Sequence, residues 1–146
     1  MQDWEKDAIN ELKYYEARKM ALENIALNIR SMELKQTAIR SASADSTPVA
    51  GGGNGWEQNQ IDLMTKIEKE KKNLEADRLQ CERIKRALAA LSAEDRRVLE
   101  LFYIHPGKGS ADRLSEELNI SVPNVYRKRD AALYRFTISL HGFRES

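Results

Sequence analysis

The sequence predicts an all-α protein: a long antiparallel helical hairpin over residues 1–90, then a helix-turn-helix unit over residues 91–146. Three observations predict it. Asp3 to about Arg40 contains neither Gly nor Pro and is dense in helix formers. Residues 56–90 repeat apolar side chains every seven positions. Residues 91–136 alternate capping residues, apolar faces and short breaks at the spacing of compact helices.

In the first helix Ala8, Leu12, Tyr15, Leu22, Ala26 and Ile29 recur at intervals of three, four or seven, which puts them on one stripe. At 1.5 Å per residue this helix is roughly 50 Å long. Ser41 to Gly55 offers no periodicity and is rich in Ser and Gly, so it reads as a flexible loop. Its Gly51-Gly52-Gly53-Asn54-Gly55 run is not a phosphate-binding loop, because no Lys-Ser/Thr pair follows and no strand precedes it. In the second helix Ile67, Leu74, Cys81 and Leu88 hold one heptad position and Leu63, Ile84 and Leu91 the other. Glu70 and Asp77 interrupt that second position. Two helices of similar length joined by a loop pack most economically as an antiparallel hairpin. The seam is thin, so a homodimer through this region is expected.

Ser92 and Asp95 have the spacing of a capping box for a third helix that ends near Ile104. After the loop His105-Pro106-Gly107-Lys108-Gly109, Ser110 is placed to cap a fourth helix. Asn119 can take the left-handed conformation that ends it. Ser121 caps a fifth helix, running to about Leu140, with Pro123 in its first turn, where a missing N–H costs nothing. Leu114, Leu118, Ile120, Val125, Leu133 and Phe136 face inward, against Val98, Leu99, Leu101 and Phe102.

That packing leaves Ser121, Asn124, Tyr126, Arg127 and Lys128 at the exposed start of the fifth helix. Arg127 has the fork to pair bidentately with guanine, Asn124 the amide to pair with adenine, and Lys128 the point charge for a phosphate. Ser110 and the N–H of Ala111, at a helix N-terminus, suit a phosphate oxygen. The chain carries a net charge of only +1. Residues 121–146, however, hold five basic residues against two acidic ones, a local excess of +3. Such an excess is the footprint of a DNA contact, but charge alone favours a solvated helix face.

Leu91, Arg96, Arg97, Val98, Leu99, Phe102, Tyr103, Ser110, Leu114, Leu118, Asn119, Ile120, Ser121, Val125, Ala132 and Leu133 together resemble region 4 of bacterial sigma-70-type factors. This likeness covers about a third of the chain. The whole chain is similar to the ArpU and RinA-like late-gene regulators of phages and prophages. The resemblance implies a sigma-4-like DNA-binding domain, a transcriptional regulator acting near promoters, double-stranded DNA as ligand and bacterial RNA polymerase as a further partner. The positions where sigma factors read bases fall on Val122, Pro123 and Arg127. Val and Pro cannot make bidentate bonds, so the target should differ from a sigma target. Arg113-Leu114-Ser115 replaces the usual Glu-Ile-Ala, which keeps the packing and changes the surface. Nothing resembles the promoter-melting region 2, so a complete sigma factor is not expected.

Two other classes remain open: a phage DNA-packaging protein of the small-terminase kind or an adaptor, and a helical scaffold that binds no DNA. An enzyme is not expected, because His105 and His141 have no carboxylate or cysteine constellation around them. No metal or cofactor is expected either. Cys81 is the sole cysteine, which excludes an internal disulfide and a cysteine-built zinc site. No apolar run has the length to span a membrane, and the charged N-terminus is no signal peptide, so a cytoplasmic protein is expected.

Overall fold

The computed structural model describes residues 2–45 and 53–142. Among them the secondary structure is entirely helical: α1 (Asp3–Asp45), α2 (Gly53–Ala89), α3 (Ala93–Leu99), a π-helical continuation (Glu100–Ile104), α4 (Ser110–Leu118) and α5 (Val122–His141). The all-α class therefore holds. The flexible loop expected over Ser41–Gly55 is helical at both of its ends, and its middle lies outside the described residues. Residues 41–45 continue α1 and residues 53–55 open α2, so only 46–52 lie outside the described residues. Ser41, Ala42 and Ala44 carry no helix-breaking backbone, and helix propagation adds a hydrogen bond per residue once the helix exists.

The chain divides into two compact units, one of residues Lys19–Leu79 and one that joins residues up to 18 with those from 80 onward. This partition differs from the 1–90 and 91–146 division, because the first turns of α1 and the last of α2 pack with the C-terminal helices.

Within Lys19–Leu79 the helices run antiparallel. Glu33 lies 4.0 Å from Lys71, and six residues further along α1 Ile39 shares a cavity with Leu63 of α2. The side chains withdrawn from solvent are Leu22, Ile25, Ile29, Met32, Gln36 and Ile39 on α1, with Ala21 beside Leu22, and Gln60, Leu63, Ile67, Glu70, Leu74 and Asp77 on α2. Their steps of three and four are the heptad read from α2, including its polar interruptions at Glu70 and Asp77. Ala26 is exposed, contrary to expectation. One residue is a turn of 100° about the helix, so Ile25 occupies the stripe and Ala26 leaves it.

In the other unit Ala8, Leu12 and Tyr15 of α1 are buried, as are Cys81, Ile84 and Ala87 of α2, with Leu91, Val98, Leu99, Leu101, Leu114, Val125, Leu133, Phe136 and Leu140. Phe136 is fully enclosed. Its neighbour Thr137 is also buried, and its hydroxyl is satisfied by donating to the Leu133 carbonyl at 2.9 Å. Trp4 meets Tyr134 edge to face at 5.6 Å, and Arg83 reaches the Leu140 carbonyl at 3.5 Å. The Trp4 contact draws residues 2–18 into this unit, and the Arg83 contact ties α2 to the end of α5. The inward-facing set predicted for the C-terminal helices is reproduced, with Leu118, Ile120 and Phe102 half-buried.

Candidate nucleic-acid interface

The surface in question is built on α3, α4 and α5, and each is set by short-range chemistry. Ser92 caps α3 by accepting from the Asp95 N–H at 3.1 Å. Asp95 does not complete the capping box. Its buried carboxylate instead accepts from Arg135 of α5 at 2.8 Å, tying the start of α3 to the middle of α5.

Past Leu99 the helix widens into a π turn, in which the His105 N–H reaches back five residues to the Glu100 carbonyl at 2.7 Å. The next carbonyl, Leu101, would need the N–H of residue 106, which is Pro106. Ser110 supplies the missing donor: its hydroxyl lies 2.8 Å from the Leu101 carbonyl and 2.9 Å from that of Gly107. Ser110 is therefore not the cap of α4. Gly109 holds that position at φ 70°, a left-handed backbone that favours glycine, and no side chain caps the helix. The Ser110 hydroxyl, engaged with two carbonyls, is not turned to a phosphate. Ala111 is half-buried against the cluster of Val98, Leu101, Leu114 and Val125.

Asn119 ends α4 in the left-handed conformation expected of it, at φ 55° and ψ 49°. The Ile120 N–H donates to the Ser115 carbonyl at 3.1 Å, and the Ser115 hydroxyl donates to the Ile120 carbonyl. Together they fix the turn. Ser121 is the N-cap residue of α5 by backbone geometry, but its hydroxyl makes no capping bond. Val125, four residues on, donates its N–H to the Ser121 carbonyl at 3.0 Å. Pro123 sits in the first turn as predicted.

Of the residues at the start of α5 singled out from sequence, three share one exposed side and the others do not. Asn124, Arg127 and Lys128 line a shallow groove of about 310 Å³ together with Ile120, Ala131, Asp95 and Arg135. Arg127 donates to the Asn124 side-chain oxygen at 3.1 Å, so the two base-reading candidates lean on each other. Lys128 is held by Glu94 of α3 at 2.5 Å, with both side chains partly exposed. Val122 is half-buried and Pro123 exposed. Tyr126 is less free than its position suggested. Its ring lies 5.9 Å from that of Phe102, and the Arg129 guanidinium sits over both, 4.9 Å from Tyr126 and 5.3 Å from Phe102. Arg129 also donates to Asp130 at 3.1 Å. Much of the basic excess of α5 is thus matched within the protein.

Glu94, Asp95, Arg129 and Arg135 are the members of this surface that sequence reading missed. Two adjacent carboxylates in a first helical turn are explained by the helix dipole alone, and nothing in the sequence shows that they face α5. Arg97 of α3 grips Glu117 of α4 through two N–H groups at 2.9 and 3.2 Å, and Arg113 forms an ion pair with the same carboxylate at 3.4 Å. The Arg97 hydrogen bonds hold the Glu117 carboxyl below its ordinary range. Burial pushes the Tyr103 phenol above its ordinary value, and the neighbouring Arg129 opposes that shift.

His105 and His141 are exposed, and His105 lies 4.0 Å from Glu16. Among the described residues no group of three or more His, Cys, Asp and Glu is arranged to hold a metal ion, and no helix is long and apolar enough to cross a membrane. Comparison of the chain with protein-family models, with curated proteins and with solved structures found no match.

Proposed function

We propose that this chain is a sequence-specific DNA-binding transcriptional regulator whose α5 enters the major groove by its first turns. One observation carries the reading. Asn124 and Arg127 stand exposed at the start of a helix whose other side is locked into a hydrophobic core, and Lys128 and Arg135 flank them along the same groove. A rigid helix end that presents an amide, a guanidinium fork and neighbouring cations has the chemistry for base edges and phosphates together. The likeness to sigma region 4 and to phage and prophage late-gene regulators supports action near promoters, with RNA polymerase as a second contact.

A helical scaffold that binds no DNA is the second reading. The matched cations favour it: Lys128 with Glu94, Arg135 with Asp95 and Arg129 with Asp130. Selection of bound sequences from a random duplex pool by the full chain, followed by titration at several salt concentrations, separates the two. Enrichment of a common sequence with salt-dependent affinity supports the regulator. Arg127→Ala should then cost about 1–3 kcal/mol and relax preference at one position. A pool that remains random, with no salt-dependent binding, supports the scaffold.

A further inference from the structure

The intramolecular seam of Lys19–Leu79 uses up the apolar stripe in which dimerisation was expected. A second stripe on α1 does not take part. Met20, Asn24, Leu27, Ser31, Leu34 and Ala38 are all exposed, with Met20, Leu27 and Leu34 at 66%, 64% and 63%. They step by four and three residues, so they form a second heptad seam. It lies two residues, or about 200°, round the helix from Leu22, Ile29 and Gln36. None of the six is charged, although the helix beside them carries Glu23, Arg30 and Lys35. Large and small side chains alternate strictly along it.

We infer that this stripe is the surface on which a second copy of the chain docks, with the two α1 helices antiparallel. Alternation is the first reason. With Met20 level with Ser31 of the second copy, and Asn24 level with its Leu27, Leu34 comes level with the exposed Ala17 of the second copy, so each large side chain of the stripe meets a small one, as close packing of facing layers requires. Charge is the second. In that register the flanking Glu23 comes beside Arg30 of the second copy, and symmetry makes the pair twice. The opposite flank carries Ala21 and Asn28. A parallel pair would instead set Arg30 beside Lys35 of the second copy, twice, which is repulsive. Three large side chains from each copy make a small interface beside the ~800 Å² per partner of stable complexes, so the dimer is weak, with a dissociation constant on the order of micromolar.

Sedimentation of the full chain from micromolar to millimolar concentration tests this without DNA, so its failure is distinct from failure of the DNA-binding reading. The wild type should dimerise, and Leu27→Glu should weaken the dimer about tenfold or more with unchanged helicity by circular dichroism. Arg30→Glu should weaken it roughly three- to tenfold, and Glu23→Arg combined with Arg30→Glu should restore it. A parallel dimer gives the opposite sign for Arg30→Glu, because the new carboxylate would attract Lys35. A chain that stays monomeric throughout, a dimer indifferent to Leu27→Glu, or one tightened by Arg30→Glu overturns the inference. Persistent monomer is also the outcome expected if another protein covers the stripe.

Discussion

Glu94→Gln removes the carboxylate that holds Lys128 and leaves the shape of the side chain nearly unchanged. Both partners are partly exposed, at 44% and 39% of their side-chain surface. An ion pair in that setting contributes roughly 0.2–1 kcal/mol, so folding stability should fall by no more than that. On the proposed DNA-binding reading, the effect on affinity for DNA should be of opposite sign. In the wild type a phosphate must compete with Glu94 for the ammonium group. In the Glu94→Gln variant the neutral amide no longer competes, and Lys128 is available to neutralise one more phosphate. Each such contact steepens the fall of log affinity with log salt by about 0.9. Over a fourfold change in salt, one added contact is thus worth roughly 3.5-fold in affinity. Fluorescence anisotropy titrations of a labelled duplex from the selected pool, repeated across salt concentrations, measure the slope directly. Lys128→Ala should change the wild-type slope by less than one full contact, because Glu94 already offsets that charge. Equal slopes for wild type and Glu94→Gln, on a duplex that both bind, would refute the competition between carboxylate and phosphate.

Arg135→Met keeps the aliphatic stem but leaves the buried Asp95 carboxylate without its partner, at a cost of about 1–3 kcal/mol toward the lower figure, since Arg135 itself is well exposed. Urea unfolding should show this loss, and Asp95→Ala in the same background should recover part of it, whereas additive losses would mean that the pair is not coupled. Glu117 titrates below its ordinary value, so the stability it contributes is fully present above the ordinary carboxylate range and is lost as pH falls through the lowered value. Carboxyl chemical shifts followed through the acid range should place Glu117 below the ordinary glutamate value, and Arg97→Gln should bring it back up. Tyr103 shows the complementary sign: its phenol is held protonated, so what it contributes is lost as pH rises through the raised value. Ultraviolet difference titration of the wild type against Tyr103→Phe should assign Tyr103 an ionisation above the ordinary tyrosine value.

The elements that the sequence states locally were legible. Asn119 was read as a left-handed residue because few non-glycine residues tolerate that backbone, and Pro123 as a first-turn residue because it lacks an N–H. The heptad of α2 could be counted through its polar interruptions. What escaped were features that depend on partners far along the chain. Ser110 has the composition of a helix cap, and only the unpaired Leu101 carbonyl of the π turn shows why its hydroxyl points elsewhere. Tyr126 and Lys128 read as part of an exposed helix start, whereas Phe102 and Glu94 hold them. The two contact units of the chain escaped for the same reason: long helices show where helix begins and ends, but not which stretch packs with which partner.

The bond from the Ser110 hydroxyl to the Leu101 carbonyl spans only nine residues. Closing so short a loop costs little chain entropy, whereas bringing Trp4 to Tyr134 requires almost the whole chain to fold back on itself. The connection between the π turn and α4 is therefore placed to form early, and the docking of residues 2–18 late, as local contacts precede distant ones. Ser110→Ala should then act mainly on the rate of refolding, while truncating Trp4 to alanine should mainly speed unfolding. The order of assembly is in this way written into a hydroxyl group that sits where a proline cannot donate.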